Sequence, residues 1–310
     1  MQFATAESLI PSGHPVIKRT EIGGRFLDAW LSNDNDIGHE EAPPFALTRA
    51  HEGLWGQAAV DCSASPDELK HAARKIYAAL FDLLGRKPEF HLARVWNYVP
   101  DLNSKTPGNG ALAERYHHFN QGRFEAYRTR FGEDRTAWTL PAASVLGTTG
   151  EKLTLEFFAV PSVPVFLENP AQIPAPGYSR KYGPAPPLFA RGVVFDACRQ
   201  HFLISSGTAA IRGEDSLHPG DVAAQFETAM ENLRLLASIE NLAQHKLDYG
   251  FSFGDLKLLR IYHRFDANHA LLEKLAQEMI GMAKLAFFRA DICRAELLAE
   301  VEGIFVKSGK

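Results

Sequence analysis

Two glutamates near the carboxyl end of the chain have the spacing and the surroundings for acid–base chemistry. From Leu298 the sequence reads as a strand, and it places Glu300 and Glu302 on one face together with Ile304 and Val306. If that face is buried, loss of hydration raises the pKa of a carboxyl group, and one of the two becomes a proton donor near neutral pH. The alternative is an edge strand with hydrated glutamates.

Other reactive side chains give no pattern typical of a metal or cofactor site. Cys62, Cys198 and Cys293 have no CxxC spacing, so the sequence indicates neither a disulfide framework nor a zinc site. His117 and His118 are adjacent and lack the four-residue spacing of a helical metal site. A glycine-rich phosphate loop is absent from the sequence. We therefore expect no cofactor and no metal, and we interpret each cysteine first as a small buried residue.

Composition limits the classes of partner. The 310 residues are 45% hydrophobic and 23% charged, which is enough for one large core or two ordinary ones. The net charge of −4 provides no basic field for nucleic acid or an anionic membrane. The first residues do not read as a signal peptide, and no apolar stretch approaches the roughly 18 residues of a membrane helix. We expect a cytoplasmic globular protein that is a monomer or a small homo-oligomer.

The glutamates need regular elements to position them, and the hydrophobic pattern predicts the same order of elements twice. The first half is predicted as strand 53–60, helix 66–85, strand 91–99, helix 111–131 and strands 142–147 and 153–160. The second half is predicted as strand 202–211, a helix starting at Pro219-Gly220-Asp221, strand 258–264, helix 270–281 and two final strands. Residues 161–187 are rich in proline and are predicted to be irregular.

Comparing the two copies separates the two glutamates. Matching Glu156 to Glu302 places Thr154 at the position of Glu300, whereas matching Arg94 to Arg260 aligns the preceding strands. A feature present in both copies favours a structural role, and a feature present in one copy favours a functional role. We therefore favour Glu300 over Glu302 as the proton donor. By the same matching Cys293, which we expect on the strand before Glu300, corresponds to Gly147.

Several separated motifs carry a family resemblance. Residues 204–207, 219–225 and 300–304 resemble a RidA-like (YjgF-type) module, and residues 46–160 resemble a weaker copy of it. Adding residues 94–100, 114–116 with 122–123, and 180–184, the chain resembles the chorismatases. The resemblance extends from about residue 45 to 306, and residues 1–44 carry none.

The resemblance implies an α+β fold of two tandem RidA-like (chorismate-mutase-like) β–α–β–α–β modules, with mixed sheets backed by helices. The domains expected are an irregular lead-in over 1–44, a first module over 45–165, a proline-rich linker over 166–195 that contributes to the site, and a second module over 196–310 with the catalytic glutamate. The implied activity is conversion of chorismate to pyruvate plus a cyclic or aromatic carboxylate.

Chorismate carries two carboxylates, and arginine binds a carboxylate through two parallel hydrogen bonds. The site implied by the resemblance has Glu300 as the acid, two arginines as carboxylate clamps, two tyrosines as hydroxyl donors, and a close-packed floor under the ring. The residues in the last three roles are Arg123 and Arg191, Tyr116 and Tyr182, and Gly207, Thr208 and Ala209. The alternative for each arginine is an ordinary surface ion pair.

Cys293 bears on the product. The resemblance implies that side-chain size around the ring decides whether water enters to give a dihydrodiol or is excluded so that the ring aromatises. Cys293 favours 3-hydroxybenzoate, whereas Ala209 or Ala210 fits the hydrolytic branch. The alternatives are a chorismate hydrolase giving a dihydroxycyclohexadiene carboxylate, a RidA-like protein that binds a small carboxylate without turnover, and an imine deaminase.

Overall fold

The fold was obtained as a computed structural model that describes residues 38–50, 52–62, 65–108, 111–280 and 283–309. The lead-in expected over 1–44 lies outside the described residues except for its last seven positions. Within these ranges the helices are α1 Pro66–Gly85, α2 Arg115–Phe131, α3 Val222–Ala237, α4 Ile239–Ala243 and α5 His269–Ile280. Helix α1 starts with Pro66 in its first turn, and the Asp221 carboxylate caps α3 by accepting from the Ala224 N–H at 3.0 Å.

Strands form the other layers of the fold. The described strands of the first half are β1 Gly38–Ala42, β2 Phe45–Ala50, β3 Gly53–Asp61, β4 His91–Pro100, β5 Lys105–Gly108, β6 Ala111–Glu114, β7 Ala142–Thr148 and β8 Lys152–Val160. Those of the second half are β9 Val165–Leu167, β10 Gly192–Ala197, β11 Gln200–Ser205, β12 Thr208–Ala209, β13 Ile211–Arg212, β14 Asp215–Ser216, β15 Leu256–His263, β16 Lys284–Arg289 and β17 Ala299–Ser308.

The two large sheets have the same strand order. The first runs β1-β2-β3-β8-β4-β7, and the second runs β9-β10-β11-β17-β15-β16 with β12 added beside β17. In each sheet one pair is parallel, β4 with β7 and β15 with β16, so both sheets are mixed. Strands β8 and β17 therefore occupy equivalent central positions, and β9 and β10 correspond to β1 and β2. The prediction of a duplicated α+β fold is confirmed.

Four layers are stacked, with the two sheets inside and the helices outside. Helices α1 and α2 cover the outer face of the first sheet, and α3 and α5 cover the outer face of the second. The inner faces pack on each other through residues such as Trp96, Phe158 and Phe195. Alternation along β17 sends Val301 toward the helices and its two neighbours toward the other sheet. Glu300 and Glu302 thus point into the layer between the two halves.

Several local predictions are wrong. Residues 111–114, expected to start a helix, pair with β5 as strand β6, and α2 begins at Arg115. The proline-rich stretch expected to be irregular contains β9, which pairs with β10. The strand expected over 202–211 is interrupted after Ser205 and resumes as β12.

The matching of Arg94 to Arg260 is also wrong by two residues. Both β4 and β15 carry an irregularity in their pairing, between Leu92 and Arg94 and between Leu256 and Leu258. Aligning these irregularities places Trp96 opposite Glu156 and Arg260 opposite Glu302, so Trp96 is the counterpart of Arg260. The matching of Thr154 to Glu300 is unaffected.

Among the described residues, none of the helices combines the length and the apolar character needed to span a bilayer.

Candidate active site

Glu300 and Glu302 lie on a central strand and are both buried. Strand β17 pairs with β15 on one side and with β11 and β12 on the other. The relative exposures of Glu300 and Glu302 are 4% and 2%. The edge-strand alternative with hydrated glutamates is therefore wrong, and each carboxyl group depends on protein partners for hydrogen bonding.

Donors surround the Glu302 carboxylate. Ser144 Oγ donates to Oε1 at 2.6 Å and Tyr262 donates to Oε2 at 2.8 Å. The remaining donors are the guanidinium groups of Arg94 and Arg260 and the indole N–H of Trp96. A buried carboxylate with two arginine partners and three neutral donors is held in its ionised form. Glu302 therefore joins the two halves and has no proton to give.

The Glu300 carboxyl group has the opposite environment. Its Oε1 atom is buried and has no hydrogen-bond partner among the described residues. Burial raises the pKa of Glu300 to about 8, and the positive charge of Arg94 opposes this rise only in part. Because the neutral form predominates below that pKa, Glu300 holds a donatable proton at neutral pH.

The break between β11 and β12 makes room for this carboxyl group. Thr208 and Ala209 pair with Val301 and Glu300, so the chain resumes its place in the sheet immediately after Gly207. A Cβ atom at Gly207 would lie 2.0 Å from Glu300 Oε1 and 2.5 Å from its Cδ. Only glycine allows the backbone to approach the carboxyl group this closely.

A cavity opens in front of Glu300. Both halves and the segment between them contribute to its wall. The lining residues are Tyr116, Arg123, Ala143, Ser144, Val145, Tyr178, Tyr182, Phe189, Arg191, Gly207, Ala209, Ile211, Cys293, Arg294 and Glu300. Every residue that the sequence analysis assigned to the site is among them except Thr208. The Thr208 hydroxyl instead donates to the Ser206 carbonyl at 2.9 Å.

The two arginines predicted for the site carry buried N–H groups that have no hydrogen-bond partner among the described residues. Arg123, on α2, uses Nη2 to donate to Asn120 Oδ1 at 2.8 Å, and its Nε and Nη1 atoms are unpartnered. Arg191 donates through Nη2 to Tyr178 at 2.7 Å and to a backbone carbonyl, and its Nε has no hydrogen-bond acceptor. Glu168 Oε2 lies 4.0 Å from that Nε. Neither arginine is an ordinary surface ion pair.

The two predicted tyrosines differ in what their hydroxyl groups do. Tyr116 is buried, and burial raises the pKa of its hydroxyl, which keeps it protonated. Tyr182 lines the cavity, but its hydroxyl donates to Asp215 Oδ1 at 3.0 Å. The ring of Tyr182 also lies 3.6 Å from the Arg294 guanidinium carbon. The single hydroxyl proton of Tyr182 is thus engaged by Asp215.

Cys293 lines the same cavity but does not lie on a strand. It belongs to the loop between β16 and β17, and Gly147 approaches a different residue of this loop, with its N–H donating to the Asp291 carbonyl at 2.7 Å. The pairing of β16 aligns Gly147 with Arg289, so the matching of Cys293 to Gly147 is wrong. Burial raises the pKa of the Cys293 thiol to about 12, with a further contribution from Glu300. The thiol is therefore neutral.

Seven of the fifteen lining residues were not predicted for the site from the sequence, and three of them carry polar side chains. Arg294 has a buried Nη2 atom with no hydrogen-bond partner in the described part of the chain, Tyr178 packs against Arg191 and Arg294, and Ser144 donates to Glu302. For Arg294 a signal existed, because it directly follows Cys293. Ser144 gave none, since a serine in a strand is unremarkable until its neighbours are known.

The sequence matches known proteins along most of its length. The family model described as Chorismatase FkbO/Hyg5-like, N-terminal, matches residues 28–159. A chorismatase from Streptomyces rapamycinicus is 35% identical over 286 residues, which cover 90% of this chain and 82% of that protein. A 3-hydroxybenzoate synthase from Streptomyces hygroscopicus is 30% identical over 287 residues, which cover 90% of this chain and 81% of that protein.

The fold also matches that of a chorismatase. The crystal structure of a chorismatase aligns with a TM-score of 0.78 at 31% identity, covering 86% of this chain and 78% of that chain. The family model begins at residue 28, inside the lead-in for which the sequence analysis found no resemblance. The predicted family is confirmed over a longer part of the chain than expected, and the protein belongs to the chorismatase family.

Proposed function

We propose that this protein converts chorismate into pyruvate and 3-hydroxybenzoate. Its relatives carry the names chorismatase and 3-hydroxybenzoate synthase. The observation that carries the proposal is the Glu300 carboxyl group, buried and neutral at the wall of a cavity that also contains unpartnered guanidinium N–H groups. A neutral acid beside cationic groups suits a substrate that is dianionic and reacts by accepting a proton.

Glu300 supplies the proton that starts the reaction. An enol ether is cleaved after protonation of its terminal methylene carbon. This protonation creates an oxocarbenium ion and converts the methylene carbon into the methyl group of pyruvate. The pKa of Glu300 is about 8, so at lower pH its carboxyl group is protonated before the substrate binds. Its ionised form after transfer faces Arg94, whose charge favours that form. The bond between the ether oxygen and the ring then breaks and pyruvate leaves with that oxygen, while the neighbouring ring hydroxyl oxygen bonds to the same ring carbon. This oxygen's original C–O bond opens, the carbon that now carries it loses its proton, and the ring becomes aromatic as 3-hydroxybenzoate. The proton released balances the one that Glu300 supplied.

Arginines hold the two carboxylates of the substrate. Arg123 and Arg191 present unpartnered N–H groups from α2 and from the segment before β10, and Arg294 presents a third from the loop before β17. Fixing both carboxylates limits the orientations of the ring in the cavity, which brings the methylene carbon to the acid. Tyr116 adds a protonated hydroxyl. Gly207 and Ala209 form the floor of the cavity.

Side chains around the ring decide whether water takes part. Pyruvate and 3-hydroxybenzoate together contain every atom of chorismate, so this outcome consumes no water, whereas the dihydrodiol requires one. Cys293, Val145 and Phe189 give the cavity an apolar wall, and the Cys293 thiol is neutral. We assign Cys293 the role of filling space beside the ring and excluding water.

The test is to supply chorismate in deuterated water, to analyse both products by mass, and to identify the ring product by its chromatographic retention against 3- and 4-hydroxybenzoate standards. We expect equal amounts of pyruvate and 3-hydroxybenzoate, with one deuterium in the pyruvate methyl group because the Glu300 proton exchanges with solvent. A ring product heavier by one water would identify the hydrolytic alternative. Complete absence of pyruvate would leave the carboxylate-binding or imine deaminase alternatives. The oligomeric state and the cytoplasmic location expected from the sequence stay predictions.

A further inference from the structure

Ser144 connects the ion cluster around Glu302 with the floor under the acid. It lies in the middle of β7 and is 3% exposed. Its Oγ atom accepts from the Gly207 N–H at 2.8 Å and from Arg94 Nη2 at 2.5 Å, and it donates to Glu302 Oε1 at 2.6 Å. A hydroxyl group has one proton and two lone pairs, so these contacts use its whole capacity. Ser144 therefore has no hydrogen bond left for a substrate, although it lines the cavity.

The contact with Gly207 is the one that concerns the acid. Gly207 lies in the break between β11 and β12, where its N–H is not part of the strand pairing. Ser144 is its acceptor, and it comes from the other half of the molecule. Gly207 in turn lies against the Glu300 carboxyl group so closely that a Cβ atom would overlap with Oε1. A shift of Gly207 therefore changes the space available to Glu300.

We propose that Ser144 is a positioning residue for the general acid: by holding the Gly207 N–H, it keeps the floor of the cavity against Glu300 and fixes the direction of its proton. This inference rests on the proposed function. The rigid part of the arrangement is the Glu302 cluster, which fixes the Ser144 hydroxyl from the opposite side. The cluster thus has a second role besides joining the halves.

A purely structural role predicts a different result from a positioning role. If Ser144 only joins the two halves, its removal lowers stability and leaves the folded protein with unchanged turnover. If it positions the acid, turnover falls in protein that is fully folded, while substrate binding by the arginines is retained. A displacement of the order of 1 Å in a catalytic group costs roughly 100-fold in rate.

The experiment compares Ser144→Ala with Ser205→Ala. Ser205 is also a fully buried strand serine that accepts from a glycine N–H, that of Gly303 at 2.9 Å, but it does not line the cavity. For Ser144→Ala we expect kcat for pyruvate release to fall roughly 10- to 100-fold with KM within twofold. Ser205→Ala should keep the wild-type kcat per folded protein, and Ser144→Thr should recover part of the loss.

The pH profile supplies a readout that stability does not affect. In Ser144→Ala, water gains access to Glu300 and the upper pH limit of kcat should move to lower pH. The titratable groups beside Glu300 are Arg94, Tyr262 and Cys293. Of these, Arg94 contacts Ser144, and in Ser144→Ala it keeps its ion pair with Glu302. A Ser144→Ala protein with wild-type kcat and an unshifted profile would overturn the inference.

If Ser144→Ala does not fold, Ser144→Cys replaces it, because the thiol has similar volume and is a weak acceptor. Wild-type kcat in that variant would equally refute the positioning role. Failure of the proposed function is separate, since the wild-type protein would then release no pyruvate.

Discussion

The central strands of the two halves, β8 and β17, are the same element used in two ways. Glu156 and Glu302 occupy matching positions, are both 2% exposed, and each accepts a hydrogen bond from a tyrosine, at 3.3 Å from Tyr98 and at 2.8 Å from Tyr262. Two residues earlier, the first half has Thr154 and the second half has Glu300. The repeated carboxylate is hydrogen-bonded in both halves, whereas the carboxyl group present in one copy has no partner at Oε1 among the residues that the structure describes.

The neighbouring strand differs in the same place. In the first half, β3 runs unbroken beside β8, with Ala59 opposite Thr154. In the second half, the corresponding strand is broken between β11 and β12, and Gly207 occupies the break beside Glu300. A buried acid thus fits into the second sheet because the adjacent strand is broken there and has a glycine, without a side chain, beside the carboxyl group.

Replacing the acid is expected to have the largest effect. Glu300→Gln keeps the shape of the side chain and removes its transferable proton, so kcat for pyruvate release should fall roughly 10³- to 10⁴-fold, with KM within a few-fold. Turnover is measured by coupled detection of pyruvate. The matched control is Thr154→Val at the equivalent position of the first half, which should retain wild-type turnover. Substantial activity in Glu300→Gln would assign the proton to another group.

Replacing the repeated carboxylate should affect folding instead. Glu302→Gln leaves Arg94 and Arg260 buried beside a neutral amide, which should lower the free energy of unfolding by about 3–4 kcal/mol. Urea unfolding at neutral pH measures this change. Glu156 accepts a hydrogen bond from Tyr98 at the matching position of the first half, so Glu156→Gln is the control for the change in stability. Unchanged stability of Glu302→Gln would mean that the ion cluster does not join the halves.

Glu300 itself should cost stability as the pH rises. Its folded pKa, about 8, lies above the ordinary value of 4.5, so the folded state binds the proton more tightly than the unfolded state. The penalty is absent below about pH 4.5, grows between that pH and about 8, and is then constant. Glu300→Gln should therefore raise the free energy of unfolding by about 4 kcal/mol near pH 8 and by little near pH 4. Equal gains at both pH values would contradict this explanation.

Filling the break in the strand should have the smallest effect of the four. Gly207→Ala puts a methyl group where Glu300 Oε1 lies, so the carboxyl group must move. We expect kcat to fall roughly tenfold, with a smaller change in KM. The control is Ala58→Gly in the unbroken strand β3, which should lower stability without lowering the turnover of folded protein. Wild-type kcat in Gly207→Ala would show that the close approach is not needed.

The positions of the two glutamates could be predicted because they follow from local sequence patterns. Alternation along 298–306 predicted that Glu300 and Glu302 share a face, and the asymmetry between Thr154 and Glu300 selected the acid. The pairing irregularities of β4 and β15 could not be predicted, since they depend on how strands meet in the sheet. They shifted the matching of Arg94 by two residues.

The residues that complete the cavity depend on tertiary contacts. Ser144 becomes important only when Gly207 and Glu302 reach it from the other half, at sequence separations of 63 and 158 residues. Arg294 and Tyr178 meet because the segment before β10 folds back over the loop before β17. Hydrophobic periodicity carries no information about such contacts.

The most direct test of the central claim is an infrared difference titration of wild-type protein against Glu300→Gln without substrate. The spectrum reports whether the carboxyl group lost in the variant is neutral or ionised at each pH. The account predicts a neutral carboxylic acid at pH 7 that ionises with a midpoint near 8. An ionised carboxylate already present at pH 6 would contradict it, because Glu300 would then have no proton to donate.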